Sequence, residues 1–180
     1  MLAGKPLLTH VLDKIDSVVD EIVVAVGSKS RKRIFEDLVK QRALVVVDRD
    51  EAQSPLVGAL IGFENVQGEY SLLLPCDTPF VSSQIALLLL DLCVNRNAVI
   101  PRWPNGFIEP LQAAYHTESA IRAAEKALEN GKMDLLSMIA LLGGVRYIST
   151  MVLQQIDSEL LTFFNINAPI DLKKAESLLK

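Results

Sequence analysis

Three consecutive leucines that run into a proline and then a carboxylate constrain this chain more than any other stretch: Leu72-Leu73-Leu74-Pro75-Cys76-Asp77-Thr78-Pro79. From Tyr70 to Leu74 the apolar run does not alternate, so it predicts a buried strand covered on both faces, as in a parallel sheet. Ligands of open α/β sheets bind beyond the carboxyl ends of such strands, which puts Asp77 where chemistry is expected. Pro75 and Pro79 fix backbone angles on either side and deny the segment a regular helix. A carboxylate here also suits a plain turn cap, and the pattern alone leaves both readings open.

Around that stretch the periodicity alternates between helix and strand. Leu7, Leu8, Val11, Leu12 and Ile15 fall at helical spacing behind Pro6. Glu21 to Val26 reads as a short strand, Ser28 opens a basic helix with Ile34, Phe35, Leu38 and Val39 on its apolar face, and Ala43 to Val47 is the next strand, ending in Asp48. Strand, helix and strand in this order make a βαβ unit with a right-handed crossover. Ser82 caps a mostly apolar helix over Gln84–Val94. Strands are expected at Ala98–Pro101, Pro110–Tyr115 and Val145–Ile148, and helices at Glu118–Glu129 and Met133–Leu142. The loop Arg102–Glu109 turns at Pro104-Asn105-Gly106.

Two further stretches carry local chemistry. Ser54 as N-cap and Pro55 at the first helical position start a helix over Leu56–Glu64, with Gly58 permitting close approach. The exposed N–H groups of that first turn suit an anion or nucleotide, and equally an ordinary capped helix. In Phe163-Phe164-Asn165-Ile166-Asn167-Ala168-Pro169 a short strand leads into a helix carrying Asp171 in its first turn. Asn165 and Asn167 alternate with Ile166, so they point the same way from an extended segment or serve as turn residues.

Composition narrows the class. Half of the 180 residues are hydrophobic and few are aromatic, as in an α/β protein with an aliphatic core in a single domain spanning 1–180. A net charge of −4 gives no general field for nucleic acid. The two cysteines, Cys76 and Cys93, form no metal-ligand pattern and read as reduced packing residues. His10 and His116 read as ordinary helix or strand-end residues. The longest apolar run, around Ile85–Leu92, is broken by Asp91, and the first residues lack the regions of a signal peptide; a soluble cytoplasmic chain is expected.

Taken in order, Gly4-Lys5-Pro6-Leu7, Ser54-Pro55-Leu56-Val57-Gly58, Pro75-Cys76-Asp77-Thr78-Pro79, Glu109-Pro110-Leu111 and Asn165-Ile166-Asn167-Ala168-Pro169 resemble molybdenum cofactor guanylyltransferases. These belong to the nucleotidyltransferases with a three-layer, Rossmann-like and mostly parallel sheet. The resemblance implies transfer of GMP from GTP to the terminal phosphate of molybdopterin, with release of pyrophosphate and with Mg²⁺ as cofactor. It assigns Asp77 to catalysis and to the metal, and Asp48, Ser54, Pro55, Leu56 and Gly58 to the nucleotide. Glu109, Pro110, Asn165 and Asn167 fall to the acceptor side. The implied partners are GTP and molybdopterin, with neither nucleic acid nor membrane, and a homo-oligomer stays open. Alternatives are a related transferase for CTP or a phosphorylated metabolite, and an inactive nucleotide- or cofactor-binding remnant.

Two departures qualify the resemblance. The family opens with a strand and a glycine-rich phosphate loop, whereas this chain begins at the later Gly-Lys-Pro-Leu motif, so Lys5 is not the phosphate lysine. An N-terminally truncated chain, a partner-supplied strand and a lost activity are the three readings, the first preferred. Without that strand, its neighbours are expected to close on each other or leave a gap with unpaired backbone groups. In addition, Ala25 stands near a position where the family often has asparagine, which weakens base selectivity.

Overall fold

The structure, a computed structural model, describes residues 1–47 and 54–179. Helix α1, Leu7–Ile15, buries Leu8, Val11, Leu12 and Ile15 on one stripe. Strands β1, Val23–Val26, and β2, Leu44–Val47, pair in parallel on either side of α2, Lys29–Val39, whose cap is the Ser28 hydroxyl accepting from Arg31 N–H. There follow α3, Pro55–Glu64, β3, Tyr70–Leu73, α4, Ser83–Cys93, β4, Ala98–Arg102, and β5, Ala113–His116. The chain ends with α5, Thr117–Glu129, α6, Leu135–Leu141, β6, Val145–Ser149, α7, Thr150–Leu153, a 3₁₀ turn at Leu161–Phe163, and α8, Pro169–Leu178.

Strands β3, β5, β4 and β6 form one sheet in that order. Only β5 runs against its neighbours, antiparallel to both β3 and β4, while β4 and β6 are parallel. Side chains of period two divide the core. Ala98, Ile100, Ala113 and Tyr115 face a cluster with Leu56, Ala59 and Phe63 of α3 and with the alanines of α5. Val99 and Ala114 face Ile85, Leu89 and Cys93 of α4 on the other side. Helices α1 and α2 cover β1 and β2 through Leu8, Leu12, Val26, Val39 and Val45. The result is the three-layer α/β arrangement expected of the sequence. No helix of the described residues is long and apolar enough to cross a membrane.

The sheet is interrupted between β1 and β3. These strands do not pair; they line a cavity of about 610 Å³ roofed by Leu8, Val11, Leu12 and Ile15 of α1 and floored by Gly58, Ala59 and Gly62 of α3. The open gap, rather than closure of the neighbours, is therefore the outcome. It also corrects the burial of the leucine strand: Tyr70–Leu73 is only half-buried because one edge faces the gap.

Two other elements differ from expectation. Residues 110–112 form a turn before β5, closed by Gln112 N–H donating to Glu109 O, so the strand starts only at Ala113. Residues 163–167 are no strand. Phe163 closes the 3₁₀ turn, and the extended segment after it pairs through Ile166 alone, because its aromatic rings pack sideways onto Trp103 and Phe80.

Candidate active site

Beyond β3 the chain makes the tight turn that Pro75 and Pro79 dictate. Thr78 Oγ1 donates to Pro75 O at 3.1 Å, and Thr78 is fully buried. Asp77 sits on this turn with its Oδ1 buried and without a hydrogen-bond partner among the described residues. A buried carboxylate oxygen left unpaired costs free energy, which a cation or a donor from a ligand would recover.

The second wall is the extended segment before α8. Ile166 N–H donates to Asp77 O at 2.9 Å, which lays Asn165 and Asn167 beside the aspartate turn with both side chains exposed. Three contacts hold this segment in place. Phe164 meets Phe80 edge to face at 6.0 Å. Ser82 N–H donates to Thr162 Oγ1 at 3.1 Å, and Gln112 Nε2 donates to Thr162 O at 2.7 Å. Thr162 N–H in turn donates to Asp157 Oδ2 at 2.7 Å. Downstream, Asp171 Oδ2 accepts from Asn167 and Ala168 N–H, fixing the start of α8. Every polar atom of Thr162 is thus in use, and sequence reading missed this residue because its partners are distant in the chain.

Pro55 and Gly58 of α3 line the same cavity as Pro75 and Cys76 at the end of β3. Ser54 spends its hydroxyl as the helix cap, accepting from Val57 N–H at 3.2 Å, and Leu56 is fully buried. On the far side, Glu109 Oε1 accepts from Trp103 Nε1 at 2.6 Å, and Pro110 O accepts from Tyr115 Oη at 2.7 Å. Trp103 stacks edge-on against Phe163 at 5.6 Å, so Glu109 connects to the Asp77 turn through residues 163–166. Asp48 lies outside the described residues. Trp103, like Thr162, escaped sequence reading; it had only its loop setting to mark it.

The cysteines divide. Cys93 is buried, with its thiol pushed up to about 11 by burial. Cys76 is solvent-exposed rather than a packing residue, because the turn carries it past the end of the covered strand. Enough protein still crowds its sulfur to raise the thiol, and the adjacent Asp77 carboxylate raises it further. Lys5 Nζ donates to Asp13. His10 bonds Leu2 O, and His116 caps α5 through Ser119; both are structural contacts.

Among the described residues no three His, Cys, Asp or Glu side chains cluster as a metal cage. Mg²⁺ needs no such cage, since it keeps several waters and takes one or two carboxylates together with substrate phosphates. Asp77, with its unpartnered buried oxygen, fits that demand.

Known proteins resemble this chain in sequence and in fold. Residues 1–143 match the MobA-like NTP transferase domain. A probable molybdenum cofactor guanylyltransferase of Methanosarcina mazei is 32% identical over 173 residues, covering 94% of this chain and 77% of that protein. The molybdenum cofactor guanylyltransferase of Desulfosudis oleivorans is 29% identical over 181 residues, covering 100% and 85%. Among solved structures, molybdopterin-guanine dinucleotide biosynthesis protein A from Archaeoglobus fulgidus superposes with a TM-score of 0.83 at 28% identity, over 99% of this chain and 88% of that one. A 2-C-methyl-D-erythritol 4-phosphate cytidylyltransferase from Thermus thermophilus, at 18% identity and a TM-score of 0.73, shares the fold.

Proposed function

This chain belongs to the MobA-like NTP transferase family, and from that premise we propose that it transfers GMP from GTP to molybdopterin and releases pyrophosphate. The observation that carries the reading is the buried, unpartnered Oδ1 of Asp77 at the carboxyl end of β3, with Asn165 and Asn167 laid alongside by the Ile166 bond. Asp77 is the residue that would hold Mg²⁺, which when bound neutralises charge on the transferring phosphate.

The chain's own part is positioning. Phosphoryl transfer asks a protein to hold attacker and leaving group in line rather than to supply a covalent nucleophile. The first turn of α3 and the Pro75–Cys76 end of β3 line one cavity and suit the nucleotide. Asn165 and Asn167 offer amide donors to an acceptor phosphate, and Glu109 shapes the far side by fixing Trp103. A cytoplasmic location goes with this reading.

The test is calorimetry of GTP with Mg²⁺ on the wild-type chain and on Asp77→Ala. Binding that needs Mg²⁺ and is lost in the variant supports the proposal; undiminished affinity in the variant, or a preference for CTP, overturns it. The open sheet edge next to the site favours a second reading, binding without turnover. Pyrophosphate release by the 180-residue chain would exclude it.

A further inference from the structure

The helical layer on one face of the main sheet stops short of the carboxyl ends of β4 and β6. Ile100 pairs with Tyr147, and Arg102 with Ser149, in the parallel register, so all four side chains stand on one face. Ile100 is fully buried in the cluster with α3 and α5, whereas Tyr147 is 44% exposed and Arg102 is exposed. Just beyond them the chain turns back, with Gly106 N–H donating to Trp103 O at 2.9 Å and Gly106 at a φ of +92°. Arg102, Trp103, Pro104, Gly106, Tyr147 and Ser149 line a cleft of about 250 Å³, which shares no residue with the cavity between β1 and β3.

The polar chemistry of this cleft is one-sided. The Arg102 guanidinium lies over the Tyr147 ring at 5.4 Å and has no ion pair or side-chain hydrogen bond among the described residues, so its donors are unspent. Ser149 Oγ accepts from Met151 N–H at 3.3 Å, which leaves its own proton to give. Trp103 spends its N–H on Glu109 and offers the cleft only its ring. A phosphate would use the guanidinium and leave the aromatic walls idle. An apolar ring would use the walls and strip water from a cation that it cannot pair. A flat heteroaromatic ring answers both demands: its faces stack on guanidinium and aromatic planes, and its carbonyl oxygen or ring nitrogens accept from Arg102 and Ser149.

Position ties the cleft to the reaction. Strands β3 and β4 both run against β5, and β6 runs with β4, so β3, β4 and β6 all end on the side that carries Asp77. In the order β3, β5, β4, β6, at about 4.8 Å per strand, the cleft lies roughly 10–14 Å from the end of β3. Sites that enclose a whole ligand run to about 300–1,000 Å³, so this one holds the end of a larger molecule. We infer that the cleft is the ring subsite of the acceptor, taking its pterin while its phosphate lies at Asp77, and that Arg102 is the residue that selects the ring. The inference rests on the acceptor proposed above and adds where its ring is held.

Trp103 is the one tryptophan of the chain, so its fluorescence reports on the cleft. The probe is 6-hydroxymethylpterin, titrated into the 180-residue chain without nucleotide or Mg²⁺ and corrected for its absorbance. The titration omits GTP, so failure of the subsite and failure of guanylyl transfer are read separately. The expected result is saturable quenching that survives an excess of GTP with Mg²⁺ or of inorganic phosphate. Arg102→Ala should weaken the pterin at least tenfold, and Arg102→Lys, which keeps the charge and loses the plane, should restore little of it. Both variants should melt as wild type, because the side chain is exposed and unbonded. Tyr147→Leu, which removes the ring under the guanidinium, should weaken the pterin several-fold. Quenching that never saturates, or Arg102→Ala binding as wild type, overturns the inference. Displacement by GTP would put the pterin in the nucleotide cavity, since pterin and guanine share an amino-oxo edge, and overturns it too. Displacement by phosphate, or full rescue by lysine, would make the cleft a site for charge alone and reject the ring.

Discussion

Ile166 donates its main-chain N–H to the carbonyl oxygen of Asp77 at 2.9 Å, and this bond joins the turn after β3 to the segment before α8. Side chains on the two stretches, Asp77 on one and Asn165 and Asn167 on the other, owe their proximity to it. The bond uses main chain on both sides, so the Asp77 carboxylate stays free for a ligand, and its Oδ1 remains buried and unpaired. A site that leaves a buried acceptor unsatisfied has exchanged stability for binding.

That exchange gives the first prediction. Asp77→Ala removes a desolvated oxygen that has no protein partner, so the melting temperature should stay level or rise, the relief being about 1 kcal/mol. Mg²⁺-dependent GTP affinity should fall by at least the 10–100-fold typical when metal sites lose a supporting group. Thermal denaturation and calorimetry on the same preparation check both. A variant that melts several degrees lower would show that Asp77 serves the fold instead.

Cys76 reports on the same carboxylate without any turnover. Its exposed thiol is raised by surrounding protein and by Asp77, so alkylation by iodoacetamide at neutral pH should be slow. A divalent cation on Asp77 reverses the local charge, and alkylation should quicken several-fold when Mg²⁺ is added. In Asp77→Ala the rate should be faster from the outset and indifferent to Mg²⁺. Equal magnesium responses in the two proteins would place the ion elsewhere.

How much of this was written in the sequence follows from the range of the interactions. The leucine run and Asp77, the Ser54-Pro55 helix start and the βαβ order were legible because each depends on neighbours in the chain. Of the two outcomes expected for the sheet, an open gap and closure of its neighbours, the gap is the one found between β1 and β3. Cys76 misled because flanking apolar residues suggested burial, yet the turn carries it to solvent. Phe163 to Asn167 alternated like a strand, but its rings found Trp103 and Phe80 instead of a sheet edge. Thr162 carried no local signal at all, since its bonds reach Ser82 and Gln112 across most of the fold.

Thr162 should therefore matter more than its small size suggests. Thr162→Val keeps the shape but leaves Ser82 N–H without an acceptor at a buried position. The expected loss is about 1–3 kcal/mol of stability, read from urea unfolding. Because the same residue anchors the segment carrying Asn165, turnover should drop further than folding alone explains at a temperature where the variant is fully folded. An unchanged unfolding midpoint would mean that water replaces the hydroxyl.

Trp103→Phe separates the acceptor side from the nucleotide side. A phenyl ring retains the edge contact with Phe163 but cannot donate to Glu109. Glu109 then loses the bond that fixes its carboxylate, so KM for molybdopterin should rise several-fold while GTP affinity holds. If GTP affinity falls in parallel, Glu109 lies on the nucleotide side and its assignment to the acceptor fails.

The acid limit of stability should be set in part by the ion-pair group on α1. Lys5 bonds Asp13, and Arg42 bridges Asp13 and Asp16, and this holds the Asp13 carboxyl below its ordinary value of 3.8. Asp134 is held low in the same direction by Ser137, whose N–H and hydroxyl it accepts at the start of α6. A carboxyl whose folded value is depressed contributes stability fully above its unfolded value and loses it as pH falls through the folded one. The contribution is thus complete at neutral pH and lost from about pH 4 downward. Asp13→Asn should unfold at lower urea at pH 7 and show a flatter decline between pH 4 and 2 than wild type. These side chains are about two-fifths exposed, so 1 M salt should shrink the difference between the two proteins. A variant whose acid decline keeps the wild-type slope would remove Asp13 from the groups that govern it.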